Sequence, residues 1–161
     1  MKRFLIAVVM IFNTGLNAQT EMDSSSFDFW VGEWDVSWTN AGGTMGKGKN
    51  KIVKILDGKV IQENFEDETG FKGTSISVFN PAQKKWHQAW ADNQGGYFDF
   101  EGEQAGDKKM FKTKIRETNG KKYVQRMVFY DIKPQSITWD WEKSEDGGIT
   151  WSLQWRIYYK K

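Results

Sequence analysis

Cysteine is absent from this 161-residue sequence, histidine occurs once and proline twice. Without cysteine there is no disulfide, no thiolate nucleophile, no Cys-bound metal and no lipid anchor on an N-terminal cysteine. With His87 as the sole histidine, neither a Ser-His-Asp nor a Cys-His arrangement can be assembled, nor a metal site built from several histidines. A phosphate loop, a dinucleotide fingerprint and a Ca²⁺ loop are also missing. Helical periodicity is lacking as well, since no window of helical length carries an apolar stripe at three- to four-residue spacing. These absences leave an enzyme as the least supported reading, and they leave stability to the core.

Charge of one sign is scarce too. The net charge is only +2, and both surplus cations, Lys2 and Arg3, precede the apolar run Phe4 to Phe12. Small and polar residues follow, up to Ala18. This is the pattern of a secretory signal peptide over residues 1–18, too short for a membrane span. Without it the chain is neutral with interspersed charges, which excludes the basic groove that nucleic acids require. The expected protein is exported, periplasmic or secreted, with no nucleic-acid partner and no membrane span. A polar arm over 19–26 precedes one domain, 27–161, long enough to bury a full core.

What the sequence does have is aromatic residues: nine Trp, eleven Phe and five Tyr, each able to bury about 150–250 Å². They open the domain as Phe27-Asp28-Phe29-Trp30-Val31-Gly32-Glu33-Trp34-Asp35-Val36, a dense lead-in that then alternates, with Trp34, Val36 and Trp38 on one face. Turn signals recur from there at even intervals: Asn40 to Gly43, Asp57-Gly58, Asp67 to Gly70, Asn80-Pro81, Asn93 to Gly96, Gly106-Asp107, Asn119-Gly120, Lys133-Pro134 and Asp146-Gly147-Gly148. They separate ten strands, over 33–39, 46–56, 59–66, 72–79, 85–92, 96–102, 108–117, 121–132, 136–143 and 149–160. Ten strands joined by tight turns avoid two long open edges by closing. The predicted fold is all-β, a single antiparallel up-and-down barrel with the aromatic lead-in as an N-terminal plug.

Gly32-Glu33-Trp34 on the first strand, with Arg156 on the last, resembles the Gly-x-Trp and closing-Arg pairing of the calycin superfamily, which includes lipocalins, fatty-acid-binding proteins and nitrobindins. The longer stretch Phe27 to Val36 is similar to an uncharacterised family of exported, lipocalin-like bacterial proteins. So are Asn80-Pro81 with Lys84-Lys85-Trp86, and Trp90 with Asp92-Asn93. The resemblance spans roughly 27–159 and implies a fold without an activity. It implies that Trp34 fills the closed end, that Arg156 lies across its ring, and that Phe27, Phe29, Trp30 and Gly32 complete the closure.

Candidate binding residues follow from strand faces. Trp86, Gln88 and Trp90 share one face of their strand, and Trp139 and Trp141 share one of theirs. Arg126 is either buried and paired with Glu63 or Asp140, or it faces outward. Arg156-Ile157-Tyr158 resembles the Arg-x-Tyr pair with which fatty-acid-binding proteins hold a carboxylate. The pocket candidates are thus Glu63, Trp86, Gln88, Trp90, Arg126 and Tyr158. The leading expectation is a small apolar or amphipathic ligand inside the barrel. A second is a filled barrel acting as an interaction module, because Arg156 pointing inward would turn Trp151 and Trp155 outward as a partner or homodimer face. A third is haem held through His87, as the nitrobindin resemblance implies, although nitrobindins place their histidine near the C-terminal end. No other cofactor and no metal is expected.

Overall fold

The computed structural model of the chain describes residues 21–161. The expected signal peptide and the first two residues of the expected arm lie outside the described residues. Of that arm, residues 21–26 turn tightly and dock, with Met22 buried in the core and the Asp23 carboxylate accepting from the Ser25 N–H at 2.9 Å.

A short 3-10 helix, Asp28–Trp30, precedes the strands β1 (Gly32–Thr39), β2 (Met45–Ile55), β3 (Val60–Asp67), β4 (Lys72–Asn80), β5 (Lys85–Asp92), β6 (Tyr97–Ala105), β7 (Lys108–Lys112), β8 (Arg116–Thr118), β9 (Lys121–Lys133), β10 (Ser136–Ser144) and β11 (Ser152–Lys160). All pair antiparallel with their neighbours. Because β9 bonds both β7 and β10, ten of the strands close into a ring. Only β8 stands outside it, paired with the start of β9. Closure leaves no free edge along the ring, as the even turn spacing predicts.

Three local features differ from the sequence expectation. The segment expected as one strand over 108–117 is two, β7 and β8. Between them the Thr113 hydroxyl accepts from the Gln125 N–H at 3.0 Å, so a side chain replaces the ladder bond and the chain turns away. The last strand starts at Ser152 rather than at 149, because the Asp146 carboxylate holds the loop before it, accepting from Ile149 N and Thr150 N at 3.0 Å each. The turn around Asp57-Gly58 spans Leu56 to Lys59, not two residues, with Leu56 and Asp57 also at positive φ, 49° and 56°.

One end of the ring is closed by the aromatic lead-in. Phe27 is fully buried and stacks on Phe111 at 4.3 Å between ring centres, with Trp86 edge-on at 5.2 Å. Trp30 meets Phe129 edge-on at 5.2 Å. The apolar core continues through the interior from this plug towards the other end. Among the described residues no helix is long and apolar enough to cross a membrane.

Candidate ligand cavity

At the plugged end, the Trp34 indole N–H donates to the Trp30 carbonyl at 2.8 Å, tying the first strand to the 3-10 helix. The cation beside its ring is Lys161, not Arg156. The Lys161 ammonium sits 4.3 Å from the Trp34 ring centre and donates to the Val31 carbonyl at 3.4 Å. Gly32, at φ 145°, makes room for it, since a Cβ there would lie 2.8 Å from the Lys161 chain. Arg156 instead projects outward, and its Nε and one terminal nitrogen each bond the Asp140 carboxylate at 2.7 Å. The reason is alternation along β11. Ile157 and Tyr159 are buried in the core and Trp155 packs against it, so Arg156 and Tyr158, which alternate with them, face out. The ladder from Lys160 back to Trp155 is unbroken, pairing Arg156 with Asp140, and slips register only before Trp155, where Glu142 pairs with Leu153. Arg156→Ala is therefore expected to cost about 1–3 kcal/mol by leaving the buried Asp140 without its cation, with interior ligand binding unchanged. Lys161→Ala is expected to cost less, about 0.5–1 kcal/mol. Thermal melts of the two variants check the order.

Midway along the interior, one wall is polar. Ser75 and Ser77 of β4 are 1% and 0% exposed, whereas their neighbours Ile76 and Val78 are 40% and 38% exposed. This strand is inverted, apolar face to solvent and hydroxyls to the inside. Beside it on β3 lies Glu63, buried with no cation beside it among the described residues. Its carboxyl oxygens meet Asn50 Nδ2 and Ser75 Oγ, each at 2.7 Å. Asn50 Nδ2 also donates to the Tyr159 hydroxyl at 3.1 Å. On the other side of Ser75, Gln88 of β5 donates to Ser77 at 2.9 Å. Burial raises the Glu63 pKa from 4.5 to about 7, because the donors from Asn50 and Ser75 offset the desolvation only in part. Burial, together with the nearby Glu63 charge, also pushes the Tyr159 phenol well up. Two acceptors in this wall, Asn50 Oδ1 and Gln88 Oε1, are buried without a hydrogen-bond partner among the described residues.

Between the polar wall and the unplugged end lies a cavity of about 240 Å³. Its lining is aromatic: Phe65, Phe71, Trp90, Phe98, Phe100, Trp139, Trp141, Trp155 and Tyr159, with Met127, Ile157, Glu63 and Asp92 completing it. Trp139 and Trp141 lie parallel, 6.4 Å apart, and Trp155 stands edge-on to Trp139 at 5.8 Å. At the mouth the Trp90 indole donates to Asp92 at 3.2 Å. Burial opposes the Asp92 charge, but N–H donors from Gly96, Trp90 and Gln94 outweigh it and hold the carboxyl below its usual range. The Trp90 ring lies flat on Gly73, where a Cβ would come within 2.0 Å of it. Gly73→Ala must therefore tilt Trp90 into the cavity. The expected result is a loss of about 1–3 kcal/mol in stability, a shifted Trp emission spectrum and at least tenfold weaker uptake of any cavity ligand.

Of the residues proposed from sequence, Glu63 and Trp90 line the cavity, and Gln88 lies in the polar wall. Trp86 belongs to the plug, its indole donating to the Asp23 carbonyl at 2.8 Å. Arg126 is on the outer face, 2.6 Å from Glu142 and with its guanidinium 3.8 Å from the Trp151 ring centre. His87 is also outside, 2.9 Å from Gln83. The premise of a Trp-rich outer face is corrected too, since Trp155 faces inward and Trp151 covers Arg126. Sequence reasoning missed Asn50, Ser75, Ser77 and Tyr159, although small polar residues at the centres of long strands were a signal for the first three.

A larger hollow on the outer surface, over β1–β5, is lined by Glu33, Asp35, Lys49, Lys51, Glu66 and Lys72. These pair with one another in solvent, as Lys49 with Asp35 at 2.6 Å and Lys51 with Glu33 at 2.7 Å. Exposed pairs of this kind are worth little. Among the described residues no cluster of three or more acidic or histidine side chains is placed to hold a metal ion. Comparison with known proteins finds no family model and no curated protein that matches this sequence.

Proposed function

We propose that this protein is an exported carrier or sensor barrel of calycin type that encloses one small apolar or amphipathic molecule. The observation that carries the reading is the aromatic cavity, plugged at one end, reached from the other and backed by a buried polar wall. Apolar pockets with a few convergent polar groups are the usual form of small-molecule sites. A solid interaction module would fill this space with side chains. The volume sets the size of the guest. About 240 Å³ equals about eight waters of bulk liquid, and an engineered apolar cavity of about 150 Å³ takes benzene. The guest is a one- or two-ring compound or its aliphatic equivalent, rather than a long-chain lipid. Export follows from the leader pattern in residues 1–18, and N-terminal sequencing of the protein from the cell envelope or medium checks it.

Toluene, indole and naphthalene, titrated into the purified protein, should quench or shift emission from the cavity tryptophans and saturate at one equivalent. Native mass spectrometry should show the corresponding one-to-one adducts. No change with any of the three, together with a protein that carries nothing from its source cells, would sink the reading.

A further inference from the structure

Resting on that reading, we infer that the cavity selects small protonated amines, with Glu63 as the counter-ion and the surrounding indole and phenyl faces as the walls of the cation's cage. The charges around the space point one way. Among the described residues, its only ionisable side chains are Glu63 at the inner end, Asp92 at the mouth and the Tyr159 phenol, and no lysine, arginine or histidine lines it. The cations that a carboxylate ligand would need are elsewhere: Arg126 with Glu142, Arg156 with Asp140 and Lys161 over Trp34. A fatty acid placed here would set its head group against Glu63 with nothing to neutralise either.

Hydrogen bonding gives an independent argument. Glu63 lines the cavity with acceptor capacity to spare. Its two oxygens each take one neutral donor, Asn50 Nδ2 and Ser75 Oγ at 2.7 Å, whereas a carboxylate offers about four lone-pair sites. A guest bearing N–H groups at the inner end of the cavity can fill the remaining sites. Aromatic ring faces carry the negative end of their quadrupole and attract a desolvated cation. An ammonium group on a one-ring body therefore meets the carboxylate at one end of the cavity and ring faces along its length. The inversion of β4 serves the same end. It spends buried strand surface on hydroxyls, and Ser75 holds Glu63 in place from below.

The test uses three near-isosteric guests, benzylamine, benzyl alcohol and benzoate, titrated calorimetrically into the purified protein at about pH 8, where the amine is protonated. The expected ranking is amine at least tenfold tighter than alcohol, with benzoate weakest. In Glu63→Gln the amine should lose at least tenfold more affinity than the alcohol does. Alcohol binding equal to amine binding, or benzoate binding best, overturns the inference while leaving the ligand-binding reading intact. Failure of all three to bind overturns the inference, and the ligand-binding reading falls with it only if toluene, indole and naphthalene fail as well. The wild-type ranking needs no variant, so poor folding of Glu63→Gln does not protect the inference.

Discussion

Phe27→Ala should lower the unfolding free energy by about 3–5 kcal/mol, the range for a large buried aromatic cut back to a methyl. Phe27 is fully buried and touches four other rings: Phe111 stacked at 4.3 Å, Trp86 at 5.2 Å, and Phe29 and Phe129 at 6.0 Å. These come from the lead-in, β5, β7 and β9, so the site has little freedom to collapse. Closing the cavity left behind would require three strands of a closed ring to move inward together. In a chain of this length the loss corresponds to a fall of roughly 10–15 °C in Tm. Denaturant melts read it directly. A loss below about 1 kcal/mol would mean that the lead-in is not part of the cooperative fold.

Stability should also fall as pH rises from about 4.5 to about 7, by roughly 3 kcal/mol, through Glu63 alone. Its carboxyl titrates near 4.5 in the unfolded chain and near 7 in the folded one, where burial without a cation disfavours the charge. Below 4.5 both states hold the proton and the group is neutral to stability. Between the two values the unfolded chain has released the proton and the folded chain has not, so each step up in pH favours unfolding. Above about 7 the deficit is complete and constant. Glu145 works in the opposite sense and in another window: side-chain bonds from Lys121 and Lys143 hold it down at about 2. Its favourable contribution is lost only below the usual carboxylate range. The difference between wild type and Glu63→Gln isolates the buried group, and the variant should be the more stable protein at pH 8. Equal slopes in the two proteins between pH 5 and 7 would mean that Glu63 stays ionised in the folded state. The penalty is the kind of cost retained at a functional position. A bound ammonium would offset it.

The closed barrel was legible because its signals are local. Alternation marks a strand, and Gly, Asn, Asp and Pro mark turns. Nine such turns require nine reversals of direction whatever surrounds them. The plug was legible for a similar reason, since Phe27, Phe29 and Trp30 stand too close together for a strand with one wet face. The site was legible only in fragments. Glu63 and Trp90 were named as pocket candidates, while Arg126, Arg156 and Tyr158 drew attention because charge and hydroxyl pairs look like a head-group clamp. Their places on the ring show why that fails. Met127 and Trp141 point inward as a cross-strand pair, which leaves Arg126 and Glu142 outside, and Trp139 with Ile157 does the same for Asp140 and Arg156. Alternation gives the two faces of each strand, but only the partner strands decide which one is inside.

By itself, then, the order of residues determined the ten-strand ring, its antiparallel sense, the need to close and the end that is plugged. Each follows from periodicity and backbone preference within a few neighbouring residues. Tertiary structure alone decided which face of each strand looks inward. In β4 it chose against hydrophobicity, turning Ser75 and Ser77 in and Ile76 and Val78 out. It decided that Lys161 rather than Arg156 lies over Trp34, and that a space remains among the rings. A period of two defines two faces but does not label them. The label comes from the register carried around a closed ring of ten strands, where each strand must agree with both neighbours at once.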